Sequence, residues 1–157
     1  MSEISAGSTA PDFELERDGG DTLRLSDLRG RKVVLYFYPK DDTPGCTKEA
    51  IAFTGLASEF EAAGAVIVGI SPDTAAKHDK FKAKHDLSVI LAADPDSAVA
   101  TAWGVWVEKS MYGKKYMGVE RSTFLIDEAG KIVETWHKVK VPGHAEAVLE
   151  AVRAAGK

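Results

Sequence analysis

Cysteine is nearly absent from this chain. Cys46 is the only one in 157 residues, so no disulfide can close within the chain, and no C-x-x-C pair exists for dithiol–disulfide exchange. The first residues, Met1, Ser2, Glu3, Ile4 and Ser5, lack the basic and then apolar segments of an export signal. A lone thiol without an export signal suits a reducing compartment, most simply the cytoplasm. No apolar run approaches the ~20 residues needed to span a bilayer. Excess positive charge is missing too: 20 Lys and Arg stand against 24 Asp and Glu, a formal net charge of −4. That balance argues against a sequence-independent grip on nucleic-acid phosphates. Lysines gather at 77–84 and 109–115, but acids or aromatics interleave them, as on solvated faces. The four histidines, His78, His85, His137 and His144, show no ligand spacing, so surface or capping roles are expected, with no metal and no cofactor. There is no tandem repeat, low-complexity tract or linker, and the length fits one domain, 1–157, with a real core.

What the chain does have is concentrated at residues 36–46, Tyr-Phe-Tyr-Pro-Lys-Asp-Asp-Thr-Pro-Gly-Cys. An apolar run, 32–38, stops there, and Cys46, Ala50, Phe53, Ala57 and Phe60 follow at the steps of three and four that mark a helix. Pro44 and Gly45 break the chain between the two elements. A cysteine in the first turn of a helix faces unpaired backbone N–H groups and the positive end of the helix dipole. Both favour thiolate over thiol. A lone cysteine is otherwise a small buried hydrophobe; the Thr-Pro-Gly turn before it and the helix after it favour a reactive thiol instead.

Around this stretch the pattern predicts an α/β domain. Residues 1–11 form an extended arm ending in Pro11. Phe13 and Leu15, then Leu23 and Leu25, alternate with polar residues about a Gly-rich turn at 17–21, a β-hairpin signal. Ser26 caps a short turn closed by Gly30. The run 33–38 reads as a central strand buried on both faces. A helix over about 46–63, ended by Gly64, follows. Residues 66–70 and 89–92 are further strands, with a helix over 74–85 between them and a short helix before Gly104. The segment 105–118 is irregular, with Trp103, Trp106, Tyr112 and Tyr116 folding it onto the body. Residues 121–127 and 132–136 make an antiparallel hairpin, and 143–155 a final amphipathic helix. This is a mixed central sheet flanked by helices. Active sites in such sheets lie outside the carboxyl ends of the strands, where Cys46 falls.

Pro39, Thr43 and Cys46 match the P-x-x-x-T-x-x-C signature of peroxiredoxins. The longer string 36–50, with 68–71, Gly104-Val105-Trp106, Glu108-Lys109-Ser110 and 121–127, resembles the PrxQ or bacterioferritin-comigratory-protein subfamily over essentially the whole chain. The resemblance implies a thioredoxin-like fold and reduction of hydrogen peroxide and organic hydroperoxides by thiols, in antioxidant defence and redox homeostasis. The chemistry fits. A catalytic thiol ionised near pH 6 rather than ~8.5 needs roughly 3.4 kcal/mol of anion stabilisation, while a helix terminus supplies at most about 2. A fixed cation must add the rest, and Arg121 matches the family's active-site arginine. By the same resemblance Thr43 hydrogen-bonds the thiolate and holds the peroxide, and Pro39 shapes a dry pocket wall. Backbone N–H groups of Gly45 and Cys46 stabilise developing charge. Glu49 either pairs with the arginine or is a first-turn acid suited to the dipole.

Many relatives carry a resolving cysteine five residues after the first; here that place is Ile51. Five helical residues separate a pair by ~140° about the axis and ~7.5 Å along it, so such relatives must unwind the helix start to join the two sulfurs. This chain is expected to run a one-cysteine cycle, in which an external thiol (thioredoxin, glutaredoxin or a low-molecular-weight thiol) resolves a Cys46 sulfenic acid, as a monomer or weak dimer. A cysteine hydrolase would need a histidine base, and a non-catalytic holdase would not need Cys46 at all.

Overall fold

A computed structural model describes residues 4–155. In chain order the strands are β1 (Glu14–Arg17), β2 (Thr22–Arg24), β3 (Lys32–Phe37), β4 (Ala65–Ser71), β5 (Ile90–Ala93), β6 (Trp106–Met111), β7 (Lys114–Val119), β8 (Ser122–Ile126) and β9 (Ile132–Trp136). The helices are α1 (Pro44–Gly55), α2 (Ala57–Ala62), α3 (Ala75–His85), α4 (Ala98–Ala102) and α5 (His144–Ala155). Seven strands form one mixed sheet in the order β2-β1-β5-β4-β3-β8-β9. β3, β4 and β5 are parallel, while β8 runs antiparallel to β3 and β9 antiparallel to β8.

The run of apolar residues in β3 is buried throughout, because the strand lies between two cores. Side chains alternate across a strand, so Val33, Leu35 and Phe37 face one core with Phe13, Trp103, Val105 and Phe124. Val34, Tyr36 and Tyr38 face the other, with Cys46, Phe53, Phe60, Phe81 and Val148. The second core is roofed by residues of α1, α2, α3 and α5. Gly69, paired with Tyr36 across β3 and β4, has no alternative: a Cβ there would come within 2.6 Å of the Tyr36 ring.

Several expectations need correction. Residues 1–3 of the arm lie outside the described residues, and residues 4–11 are not simply extended, since Ser8 N–H folds back to Ser5 O and Thr9 bridges Lys131. Ser26 does not cap its turn with its hydroxyl; its own N–H donates to Asp12 Oδ1 at 2.9 Å. The single helix over 46–63 is two helices, broken at Leu56 after Gly55, and the first begins at Pro44. The segment 105–118 is a regular two-stranded ribbon of β6 and β7. Its turn is built by Tyr112 (φ 52°) and Gly113 (φ 79°), a left-handed pair that suits a tight hairpin. Trp103 is buried, but Tyr112 is 98 % exposed, so the aromatics of this segment do not all fold inward.

Candidate active site

The chain leaves β3 at Phe37, and Tyr38 N–H still donates to Ile70 O at 3.0 Å. Thr43 has extended backbone and serves as the N-cap of α1, with Pro44 in the first turn. Proline suits that place because it has no N–H to leave unpaired. Thr47 N–H closes the turn on Thr43 O at 2.8 Å. The N–H groups of Gly45 and Cys46 have no protein acceptor among the described residues. They point the way an incoming anion would need.

Cys46 is buried, at 2 % exposure. Arg121 reaches it from the residue just before β8. Because β8 is antiparallel to β3 with Ser122 opposite Phe37, residue 121 is delivered to the same sheet edge as the start of α1. Its Nη2 donates to Cys46 Sγ at 3.3 Å, and its Nη1 donates to Glu49 Oε1 at 2.5 Å. Glu49 lies one helical turn after Cys46, so carboxylate and thiol share a face of α1. Of the two readings for Glu49, the pairing with arginine is the one the geometry shows. Burial alone would lower the Arg121 pKa, but the charges of Glu49 and Cys46 outweigh it and raise it. The guanidinium stays charged.

Glu49 is less settled. Burial pushes its carboxyl up to about 7 against the pull of Arg121, and its second oxygen, Oε2, is buried with no hydrogen-bond partner. Tyr36 lies beneath, stacked on Phe53 with ring centroids 4.9 Å apart, and its hydroxyl too is buried and unpartnered. Burial, and then the charges of Glu49 and Cys46, raise the Tyr36 pKa well above its ordinary value, so the hydroxyl remains a proton donor.

The structure brings Cys46, Arg121 and Thr43 to one edge, and Pro39, half-buried, lies near the start of the same loop. A bond from Thr43 to the sulfur is not among the contacts: Thr43 Oγ1 donates to Lys40 O at 2.8 Å. That leaves its lone pairs free to accept from a substrate O–H. Ile51 is 47 % exposed on α1.

Sequence reasoning valued Gly45 only for its N–H and missed Lys109, and the structure gives both a further part here. A Cβ at Gly45 would stand 3.1 Å from Arg121 Nη2, so this glycine makes room for the guanidinium. Lys109 on β6 is a second nearby cation; burial first and then Arg121 lower its pKa, while Cys46 and Glu120 act to raise it. The expected surface or capping roles fail for two histidines. His78 is buried against Asp41, and His144 is buried with Nε2 2.8 Å from Thr123 Oγ1. Burial, then Arg121, hold the His144 imidazole down to about 4, so it is neutral. No histidine among the described residues hydrogen-bonds Cys46, which leaves a hydrolase without its base. No helix among the described residues is long and apolar enough to cross a membrane.

Comparison with known proteins bears on the family and the fold. The model of the AhpC/TSA family matches residues 6–135. Peroxiredoxin Bcp of Bacillus subtilis is 49% identical over 150 residues, 96% of each chain. A cysteine-to-serine mutant of PrxQ from Xylella fastidiosa superposes with a TM-score of 0.94 at 40% identity, covering 100% of both chains. Bacterioferritin comigratory protein of Xanthomonas campestris, whose trapped intermediate and ligand complexes were solved to explain its alkyl peroxide reduction, gives a TM-score of 0.88 at 47% identity over 92% of each chain.

Proposed function

The chain belongs to the AhpC/TSA family, as a thiol-dependent peroxidase with the thioredoxin-like fold of the Bcp and PrxQ peroxiredoxins, and from that premise we propose how its residues carry the reaction. Cys46 is the nucleophile. Its thiolate attacks one oxygen of a hydroperoxide, an S–O bond forms as the O–O bond breaks, and the departing hydroxide or alkoxide takes up a proton. Sulfur is oxidised by two electrons to sulfenic acid, and the peroxide is reduced to water or an alcohol.

The observation that supports this best is the 3.3 Å contact from Arg121 Nη2 to Cys46 Sγ at the open N-terminus of α1. A planar, permanently charged fork can address sulfur and a peroxide oxygen together. The free N–H groups of Gly45 and Cys46 are preorganised for the charge that develops on the breaking bond. Thr43 accepts from the peroxide O–H and aligns it, while Pro39 closes the wall without adding a donor. Hydrogen peroxide and organic hydroperoxides are the substrates, the latter in line with the alkyl peroxide reduction described for the Xanthomonas campestris relative.

With Cys46 the sole cysteine, the second half-reaction is intermolecular. An external thiol attacks the sulfenic sulfur, water leaves, and a mixed disulfide forms; a second thiol then releases Cys46. Thioredoxin, glutaredoxin and a small thiol are the candidate donors, and a cytoplasmic single-domain monomer or weak dimer is the setting. The test is peroxide consumption with each donor in turn, paired with mass spectrometry after one equivalent of peroxide. The mass of one oxygen, or a mixed disulfide, is expected at Cys46, and Cys46→Ser is expected to be folded and inactive. A fully active Cys46→Ser protein would overturn the assignment.

A further inference from the structure

Apart from the Cys46–Arg121 contact, a buried polar network lies under residues 38–42, in the loop from β3 into α1. At its centre is a carboxylate–imidazole pair. His78, on α3, is 0 % exposed. Its Nδ1 lies 2.6 Å from Asp41 Oδ2 and its Nε2 lies 3.0 Å from Ala92 O. A peptide carbonyl only accepts, so Nε2 carries a proton. The Nδ1···Oδ2 contact needs a further proton between ring and carboxyl group. Asp41 Oδ1 is already accepting from the Tyr38 hydroxyl at 2.5 Å.

The main chain of the same residue is fixed as well. Asp41 N–H donates to Asp73 Oδ2 at 2.7 Å, and that oxygen also accepts from Ser71 Oγ at 2.7 Å. One residue thereby ties the loop to the end of β4, to α3 and, through Ala92, to β5. The next residue, Asp42, sits in the left-handed region at φ 60°, a conformation that persists in a non-glycine residue only where the surroundings impose it. Asp42 leads directly into Thr43, whose carbonyl opens α1 and whose hydroxyl donates back to Lys40 O.

We propose that Asp41 and His78 are positioning residues for the peroxidase reaction, a buried hydrogen-bonded clamp that sets loop 40–43 and, through it, Thr43 and the first turn of α1. The proposal rests on the reading of Cys46 as the peroxidatic thiol and adds to it two residues that touch neither sulfur nor substrate. A clamp of this kind matters more to peroxide than to a simple alkylating agent. Peroxide reduction needs the thiolate and, in register with it, Thr43 and the first-turn N–H groups, whereas alkylation needs only the thiolate, so the ratio of the two rates cancels any change in thiol ionisation.

The test compares, for each variant, the rate of Cys46 oxidation by hydrogen peroxide with its rate of alkylation by iodoacetamide. Asp41→Ala and His78→Leu are expected to lower the ratio of the two by about tenfold or more, since small misplacements cost large factors. Asp41→Asn is expected to stay within about threefold of the parent, because its amide can donate to Nδ1 while its carbonyl accepts from Tyr38. The double variant is expected to be no worse than the poorer single one, as residues acting as a unit require. Asp42→Asn, which alters only exposed pairs with Lys84 and His85, serves as the control and is expected to leave the ratio unchanged. In the unaltered protein, proton NMR is expected to show a strongly downfield signal from the His78–Asp41 bond. A ratio unmoved in folded Asp41→Ala and His78→Leu overturns the proposal. Should those two not fold, a tenfold loss in Asp41→Asn or a spectrum without the downfield proton overturns it instead. Failure of the unaltered protein to consume peroxide would sink the peroxidase reading, while the NMR result would stand or fall alone.

Discussion

Two buried carboxylates flank the single thiol, and the difference between them is instructive. Asp41 has both oxygens hydrogen-bonded, to Tyr38 and His78, and its N–H bonded to Asp73. Glu49 has one oxygen on Arg121 and the other buried without a partner, and burial raises its carboxyl to about 7. A fully satisfied buried network is rigid, whereas a half-satisfied one is costly and persists where function needs it. Asp41 thus fixes shape. In the proposed reaction Glu49 aims the cation that also serves sulfur and substrate, and it does so with one oxygen only.

The sharpest way to break this contrast is to remove the cation from the incomplete side. Arg121→Ala is expected to lower the second-order rate with peroxide by about 10²- to 10³-fold, the usual cost of losing a preorganised charge-stabilising donor; stopped-flow kinetics would measure it. An unchanged rate would refute the role given to Arg121. On the satisfied side the loss is expected in stability first. Asp41→Ala leaves His78 without its partner, and breaking a buried pair costs about 3 to 5 kcal/mol in urea unfolding. A milder change moves the guanidinium without deleting it. Gly45→Ala places a methyl group 3.1 Å from Arg121 Nη2 and is expected to slow peroxide oxidation about tenfold with stability little changed.

Much of this site was legible in the sequence, because its strongest signals are local. A buried apolar run, a Pro-Gly break and a helical period place Cys46 at a strand-to-helix turn without any structure. Arg121 was reachable only through family resemblance, since nothing local tells an arginine before β8 that antiparallel pairing with β3 will carry it 75 positions back to Cys46. His78 was misjudged for the same reason: its partner, Asp41, is 37 positions away. The clue available was its spacing, three residues before the buried Phe81 on α3. The ribbon of β6 and β7 went unread because most of its side chains stay partly or wholly exposed on both faces, so no period-two pattern marks it. The one signal it carried, the glycine of the Tyr112-Gly113 turn, was not read as one.

The smallest effect tests the incomplete pair directly, through pH. Glu49 has a folded pKa of about 7 against an ordinary value of 4.5, so the folded state holds its proton more tightly than the unfolded chain does. Its favourable contribution is complete below pH 4.5 and is lost as pH rises through about 7. His144 works in the opposite sense: held down to about 4 from 6.5, it contributes fully above pH 6.5, a contribution lost as pH falls through about 4. Over the shared range the two slopes oppose, and the raw stability curve conceals both. Subtracting the curve of Glu49→Gln, a neutral side chain of the same size, removes His144 and every other common group. The difference is expected to turn against the parent protein by on the order of 1 kcal/mol between pH 4.5 and 7, followed by urea midpoints at fixed ionic strength. A difference flat across that window would mean that Arg121 satisfies Glu49 as fully as His78 satisfies Asp41, and the contrast between the two sides of the thiol would vanish.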